Sequence, residues 1–251
     1  MKALFVGSGS KGNASVFISG DTIIEIDAGL SLKRVHIALG PYGKSRQDLQ
    51  ALFITHNHSD HVSQLHIMMK DMAKVYAGEF AIDEEGYTTI EPGVGVDIGP
   101  FNIIPFSSHH DAPNPLNFIL LVEGMKIGYV TDTGYIDDLG LAMLSNCDYY
   151  VFESNYEPSL LEASSRPAWL KQRIRGKTGH LSNKQCGQYL KKLIGDKTKT
   201  VFLAHLSEEC NTEMDALNSA HNAISKIKNK RKDLKVICLK QHEAVEADLL
   251  P

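Results

Sequence analysis

His56-Asn57-His58-Ser59-Asp60-His61 follows a short apolar run and holds four potential metal ligands in six positions. A metal ion needs several donors converging within about 2 Å of one point. His56 and His58 are two residues apart after a strand-like segment, so an extended backbone points both the same way. Asp60 and His61 then open a helix and turn in from another direction. Such a cluster can serve two adjacent cations. In a chain of this composition the HxHxDH pattern arises by chance roughly once in a thousand. The chain carries 11 histidines against one tryptophan, which also points to metal chemistry.

One motif cannot fill two coordination shells. Further ligands are expected at the ends of apolar strands, where a rigid sheet holds them in place. Three runs end that way: FNIIPFSS before His109-His110-Asp111, KIGYVT before Asp132, and TVFLA before His205. Two cations about 3.5–4 Å apart bind a phosphate oxygen, lower the pKa of a bridging water and stabilise a leaving oxygen. Much of that gain is orientation. A leaving alkoxide still needs a proton, and His180, in GHLSN ahead of a helix, offers one from outside the ligand set.

The elements that must position these groups alternate along the whole chain. KALFVGSG, SVFISG and TIIEIDAG read as strands, and SLKRVHIALG as a helix with a Ser cap. ALFITH delivers His56. The stretch 61–73 has Val62, Leu65, Met68, Met69 and Met72 at helical spacing. Residues 93–131 read as antiparallel strands with a hairpin turn at Glu123-Gly124. DDLGLAMLSN, 157–175, SNKQCGQYLKKLI and 212–229 read as helices, and YYVFES, TVFLAH and VICLK as strands. No linker or low-complexity stretch divides the chain, so residues 1–251 are expected to form one domain with two β-rich layers covered by helices.

Hydrophobic residues make up 43% and charged residues 22% of the 251 residues, which excludes a disordered or collagenous chain. No apolar run approaches the length of a membrane-spanning helix, so no membrane partner is expected. The first residues show no secretory signal, and the four cysteines lack CxxC spacing. Reduced cysteines and a cytoplasmic location are therefore expected. The net charge of −4 gives no overall attraction to nucleic acid, so any basic face must be local. Arg166, Lys171, Arg173, Arg175 and Lys177, just before His180, are the candidate phosphate contacts. Trp169 and Tyr156 are candidates for stacking on a base. The 226–235 run reads as a solvated helix end, and His36, His66, His221 and His242 as surface residues. Ser8 and Ser10 are weak candidates for donating to phosphate.

HxHxDH, a later His, an Asp after an apolar strand and a final His together resemble the metallo-β-lactamase superfamily. The resemblance implies an α/β fold of the αββα sandwich type with a dinuclear metal site at one edge. By position, His56, His58 and His110 resemble the ligands of one metal, and Asp60, His61 and His205 those of the other. Asp132 resembles the bridging carboxylate, and Asp27 in IIEIDAG an early strand-end Asp that orients the site. His110 is preferred over His109 because HDAPNPLNF resembles one subgroup's HDA…F pattern. Asp111 then orients a ligand or caps the loop. SGSKGNAS, VTDTGY, FESNY, RIRGKTGHLSN and LAHLSEE are similar to the YycJ/VicX/WalJ-like group, relatives of RNase Z and PhnP. In the group, Asn often follows the SEE segment; here that residue is Cys210. The His180 region resembles the catalytic His of RNase Z, and Glu153 matches its carboxylate partner.

The resemblance implies a phosphodiester hydrolase with two divalent ions (zinc, manganese or iron), with Asp60, His180 and Glu153 as catalytic groups. A nucleic acid substrate is expected, DNA ahead of RNA, cut by an exonuclease whose 5′–3′ or opposite polarity is left open. A small-molecule phosphodiesterase of the PhnP kind shares nearly every motif. A thioester or lactam hydrolase shares HxHxDH, although a thiolate leaves without needing His180. A metal-binding protein without turnover is the remaining alternative.

Overall fold

The structure is a computed structural model that describes residues 1–71 and 74–251. Met72 and Ala73, the end of the expected 61–73 helix, lie outside the described residues. The first half of the chain supplies β1 (Lys2–Gly7), β2 (Ala14–Ser19), β3 (Thr22–Ile26), α1 (Leu32–Leu39), β4 (Ala51–Phe53), α2 (Ser59–Val62), α3 (Leu65–Asp71), β5 (Val75–Ala77) and β6 (Thr88–Thr89). The antiparallel run follows as β7 (Val96–Ile98), β8 (Phe101–Ser107), β9 (Leu116–Val122) and β10 (Met125–Val130). The rest is α4 (Asp138–Leu144), β11 (Tyr149–Glu153), α5 (Pro158–Ala163), α6 (Ala168–Ile174), α7 (Asn183–Leu193), β12 (Thr200–Ala204), α8 (Glu213–Ser225), β13 (Lys235–Cys238) and β14 (Val245–Asp248).

The strands form two sheets, ordered β14-β1-β2-β3-β4-β5-β6 and β13-β12-β11-β10-β9-β8-β7. Each changes from antiparallel to parallel partway across, at β3 and at β10. The reason is local. Hairpin turns such as Glu123-Gly124, with φ of 50° and 76°, join antiparallel neighbours, whereas crossovers, helical in every case but β5 to β6, return the chain parallel.

The sheets face each other across an aromatic layer. Phe5 and Phe202 lie 4.8 Å apart between ring centroids, Phe53 and Phe118 5.8 Å, and Phe17 and Tyr129 6.5 Å, each pair spanning the two sheets. A second apolar cluster joins the outer face of the first sheet to Val35, Leu39, Leu65 and Met68 of α1 and α3. A third joins the other sheet to Leu144, Leu190, Leu193, Ala216 and Ala220 of α4, α7 and α8. Three apolar layers between four structural layers make the expected αββα sandwich.

Several expected boundaries shift. Ser31 precedes α1, but its side chain makes no capping bond. The helix expected over 61–73 is two pieces, broken at residues 63–64. The strand β14 was not expected from the sequence; it pairs antiparallel with β1, from Lys2 opposite Asp248 to Phe5 opposite Val245. Its half-exposed residues lack the apolar continuity by which a strand is read.

Candidate metal centre

The site forms where strands end. Asp27 follows β3, residues 55–61 follow β4, His110 follows β8, Asp132 follows β10, Glu153 ends β11 and His205 follows β12. Asp27, Asp132 and His205 have left-handed backbone, with φ of 63°, 52° and 55°. Such torsions are costly for a non-glycine residue and need surrounding support. They bend the chain sharply after each strand.

His56, His58 and His110 bring ligand atoms within 4.8 Å of one another. Asp60, His61 and His205 do the same, as do His56, His61 and Asp132. The groups share His56 and His61, so they are contiguous and Asp132 sits between them. The three imidazoles of the first group pack edge to face, with centroids 4.6–4.9 Å apart. The Nε2 of His110 faces the Nδ1 of His58 at 3.1 Å, while its own Nδ1 lies 3.1 Å from the Gly179 carbonyl oxygen. An Nδ1–H donating there leaves Nε2 with a lone pair for a cation.

The orientation of His61 is held from behind. Its Nδ1 lies 2.7 Å from Asp27 Oδ2. Thr55 donates its backbone N–H (2.9 Å) and its hydroxyl (2.8 Å) to Asp27 Oδ1. The His61 Nε2 is therefore turned to the site, 3.0 Å from Asp132 Oδ2 and 3.4 Å from Asp60 Oδ2. Gly29 lets α2 approach: a Cβ there would overlap the Asp60 carbonyl.

Burial pushes the pKa of His56 well down, and the neighbouring imidazole of His61 adds to this; burial also lowers that of His110. Both are therefore held neutral, the state in which an imidazole can bind a cation. His61 and His205 are raised despite burial, by Asp27 and Asp132 respectively, His205 to about 10. Asp60 and Asp132 are held low in spite of burial, by His61 and His205. The site thus crowds buried carboxylates that demand positive charge. Among the described residues, the buried His56 Nε2 has no hydrogen-bond partner, and the buried Asp132 Oδ2 faces only the His61 ring nitrogen. Neutral imidazoles at His56 and His110, deprotonated carboxylates and an unpartnered His56 nitrogen at one point fit divalent metal, which would take the place of the protons on His61 and His205.

Residues 22–206 match a family model described as a beta-lactamase superfamily domain. The chain belongs to the beta-lactamase superfamily. It is 30% identical over 223 residues to exodeoxyribonuclease WalJ of Streptococcus pneumoniae, covering 84% of this chain and 83% of that one. It is 28% identical to exodeoxyribonuclease YycJ of Bacillus anthracis, covering 82% of each. The metallo-beta-lactamase fold protein YhfI from Bacillus subtilis superimposes with a TM-score of 0.73 at 15% identity, covering 98% of this chain and 99% of that one. This superfamily member therefore has the metallo-β-lactamase fold and is, by class, a metal-dependent hydrolase.

Other candidates from the sequence are placed differently from one another. His180 Nδ1 lies 2.7 Å from Glu153 Oε1 and 3.3 Å from Asp132 Oδ1. These three residues and His205 also bring donor atoms within 4.8 Å. Glu153 Oε2, however, already accepts from the backbone N–H groups of Thr133 and Leu181. His109 turns away from the cluster and stacks on Tyr135. Asp111 pairs with Arg173, 3.7 Å from His58 Nε2. The basic stretch is largely neutralised in place: Arg166 pairs with Glu209 and Arg175 with Glu162. Tyr156 is buried in a small cluster with Leu161, Ile174 and Cys210, so it is not available for stacking, whereas Trp169 is exposed. The Ser8 hydroxyl accepts from the His205 backbone N–H at 2.9 Å, so it holds a strand-end turn. His36, His66, His221 and His242 are exposed.

Two residues were given no role from the sequence. Asn13 Nδ2 lies 3.0 Å from His61 Nε2 and bonds the Asp60 carbonyl. Asn155 Nδ2 bonds the His205 carbonyl at 2.8 Å. Their only signal was their place in GNAS and ESNY, quoted for family likeness alone.

Among the described residues, no helix is long and apolar enough to cross a membrane.

Proposed function

We propose that this chain is a metal-dependent exonuclease acting on DNA, with all 251 residues forming one catalytic domain in the cytoplasm. Likeness to the two exodeoxyribonucleases supports the substrate. The return of β14 onto β1 supports one unit, and four free, buried cysteines suit a reducing compartment.

His56, His58 and His110 would hold one divalent cation and Asp60, His61 and His205 a second, with Asp132 shared; zinc, manganese and iron all suit the donor set. Two such cations supply charge that polarises a phosphate and makes water a competent nucleophile at neutral pH. Asp27 orients His61, and Asn155 orients His205. Asp60 serves as a ligand and also aligns the attacking water. His180 turns Nδ1 to Glu153, which leaves Nε2 to carry the proton that the leaving alkoxide takes. Burial opposes a proton on this ring, but the Glu153 and Asp132 carboxylates raise its pKa to about 9. That placement carries the reading, because a buried acid–carboxylate pair beside a metal cluster serves a poor leaving group.

One observation favours a smaller phosphodiester instead. The arginines before His180 are bound to acidic partners, which weakens the local pull on a polyanion. The deciding experiment loads the protein separately with Zn²⁺ and Mn²⁺ and offers end-labelled single- and double-stranded DNA and RNA, with His58→Ala alongside. Stepwise shortening of DNA that requires His58 is expected. A metal-loaded protein that cuts no polymer but hydrolyses a small diester would overturn the nuclease reading.

A further inference from the structure

Resting on the nuclease reading, we propose that the cleft between Tyr135 and Lys177 is a subsite for the nucleobase beside the scissile phosphate. Tyr135 forms one wall, and its ring is backed by the stacked ring of His109, which is not itself part of the lining. Their centroids lie 3.9 Å apart with planes at 10°. The lower ring is clamped: His109 Nε2 is 3.2 Å from Asp137 Oδ2, its backbone N–H donates to Thr133 Oγ1, and its carbonyl accepts from Gly134 N–H. A base meeting this stack therefore meets a face whose ordering entropy is already spent.

The cleft, about 340 Å³, is lined by Gly134, Tyr135, Arg175, Gly176, Lys177 and Gln185. Gly134 is required there, because a Cβ would overlap the carbonyl oxygens of Lys177 and Gly176. Three polar groups in the cleft are unspent among the described residues. Tyr135 is 37% exposed and its hydroxyl makes no hydrogen bond. Lys177 is exposed and pairs with no acid, although the arginines before it do. Gln185 uses Oε1 on the Ser182 N–H and hydroxyl, which leaves its NH₂ group.

An aromatic face, an amide donor and one free ammonium fit a base and its adjoining phosphate. The aromatic face reads any base, so the subsite contributes binding without sequence preference. Both walls are close in the chain to residues of the proposed acid pair. Tyr135 lies two residues after Thr133, which donates to Glu153, and Lys177 lies three residues before His180.

The test compares wild type with Tyr135→Leu and Tyr135→Phe on DNA. A single abasic residue is placed in turn at the three positions flanking the scissile bond. We expect Tyr135→Leu to raise KM about tenfold on intact DNA with kcat little changed. Tyr135→Phe should retain wild-type KM within about threefold. At one abasic position wild type and Tyr135→Leu should become equal, which a general structural defect would not produce. Equal losses at every position, or an unchanged KM on intact DNA, would overturn the subsite. In the metal-free protein, 2-aminopurine at that position should be quenched by wild type and not by Tyr135→Leu, and no difference between them also overturns it. A metal-loaded wild type that cuts no DNA defeats the nuclease reading itself and takes the subsite with it.

Discussion

The imidazole of His180 and the carboxylate of Glu153 meet at 2.7 Å, although 27 residues separate them. The carboxylate is immobile because the Thr133 and Leu181 backbone N–H groups bind its other oxygen at 3.0 and 3.2 Å. The imidazole therefore has one orientation, and removing either partner affects the other.

His180→Ala is expected to keep bound metal and lose about 10²–10⁴-fold in turnover of DNA, the usual worth of a positioned acid. The loss should be much smaller on a nitrophenyl phosphodiester, whose leaving group needs no proton. Metal content by elemental analysis and rates on both substrates check this. Equal losses would remove the acid role.

The pH profile should report the same pair. A group acting as an acid works while protonated, so activity falls as pH rises through its pKa. With His180 raised to about 9 by Glu153 and Asp132 against the pull of burial, the alkaline limb belongs at or below that value. Cations held by Asp132 would remove part of the raise. Glu153→Gln deletes the main supporting charge, so its limb should move to lower pH. A limb that stays in place in Glu153→Gln counts against the pairing.

Asp27→Asn keeps the side-chain shape and suits a left-handed backbone, which Asn tolerates. It loses the charge facing His61 Nδ1 and turns an amide toward donors that need an acceptor. We expect metal affinity to fall about 10–100-fold, measured by competition with a chromophoric chelator.

Gly29→Ala should release metal without any ligand being changed. Its Cβ would overlap the Asp60 carbonyl and push the start of α2 outward with Asp60 and His61. Gly40→Ala meets nothing within 4 Å at ordinary φ and is the control, with stability within about 0.5–1 kcal/mol of wild type.

Glu25 is wholly buried in β3, and neither carboxylate oxygen is hydrogen-bonded among the described residues. Burial and the Asp27 charge raise its pKa to about 8, with Arg46 opposing. The unfolded chain ionises this group near the ordinary carboxylate value of 4.5, the folded chain only near 8. Stability from this group is full below the lower value and is lost as pH rises to the upper one. Glu25→Gln should remove that slope, on the order of a few kcal/mol across the window, in denaturant melts at pH 5 and pH 8.

Much of the site was legible in the sequence because it is locally encoded. HxHxDH carries four donors in six residues, and Asp132 and His205 follow apolar runs with a strand's signature. What decided the rest is contact between distant residues. His109 and His110 are neighbours with equal chemistry. The family pattern favoured His110, and the packed structure sends its ring to His58 and that of His109 onto Tyr135, because successive side chains leaving a strand point to opposite sides. The basic stretch reads as a phosphate-binding face, but Asp111 and Glu209 from distant parts of the chain and the nearby Glu162 pair with its arginines. The strand β14 exists because β1 offers an edge to pair with, not because its own residues demand a strand. The sequence alone determined the donor types, their spacing and the strands that present them, since these follow from local periodicity. The tertiary structure decided which donors meet and which charges are neutralised, since those depend on closing the two sheets against each other.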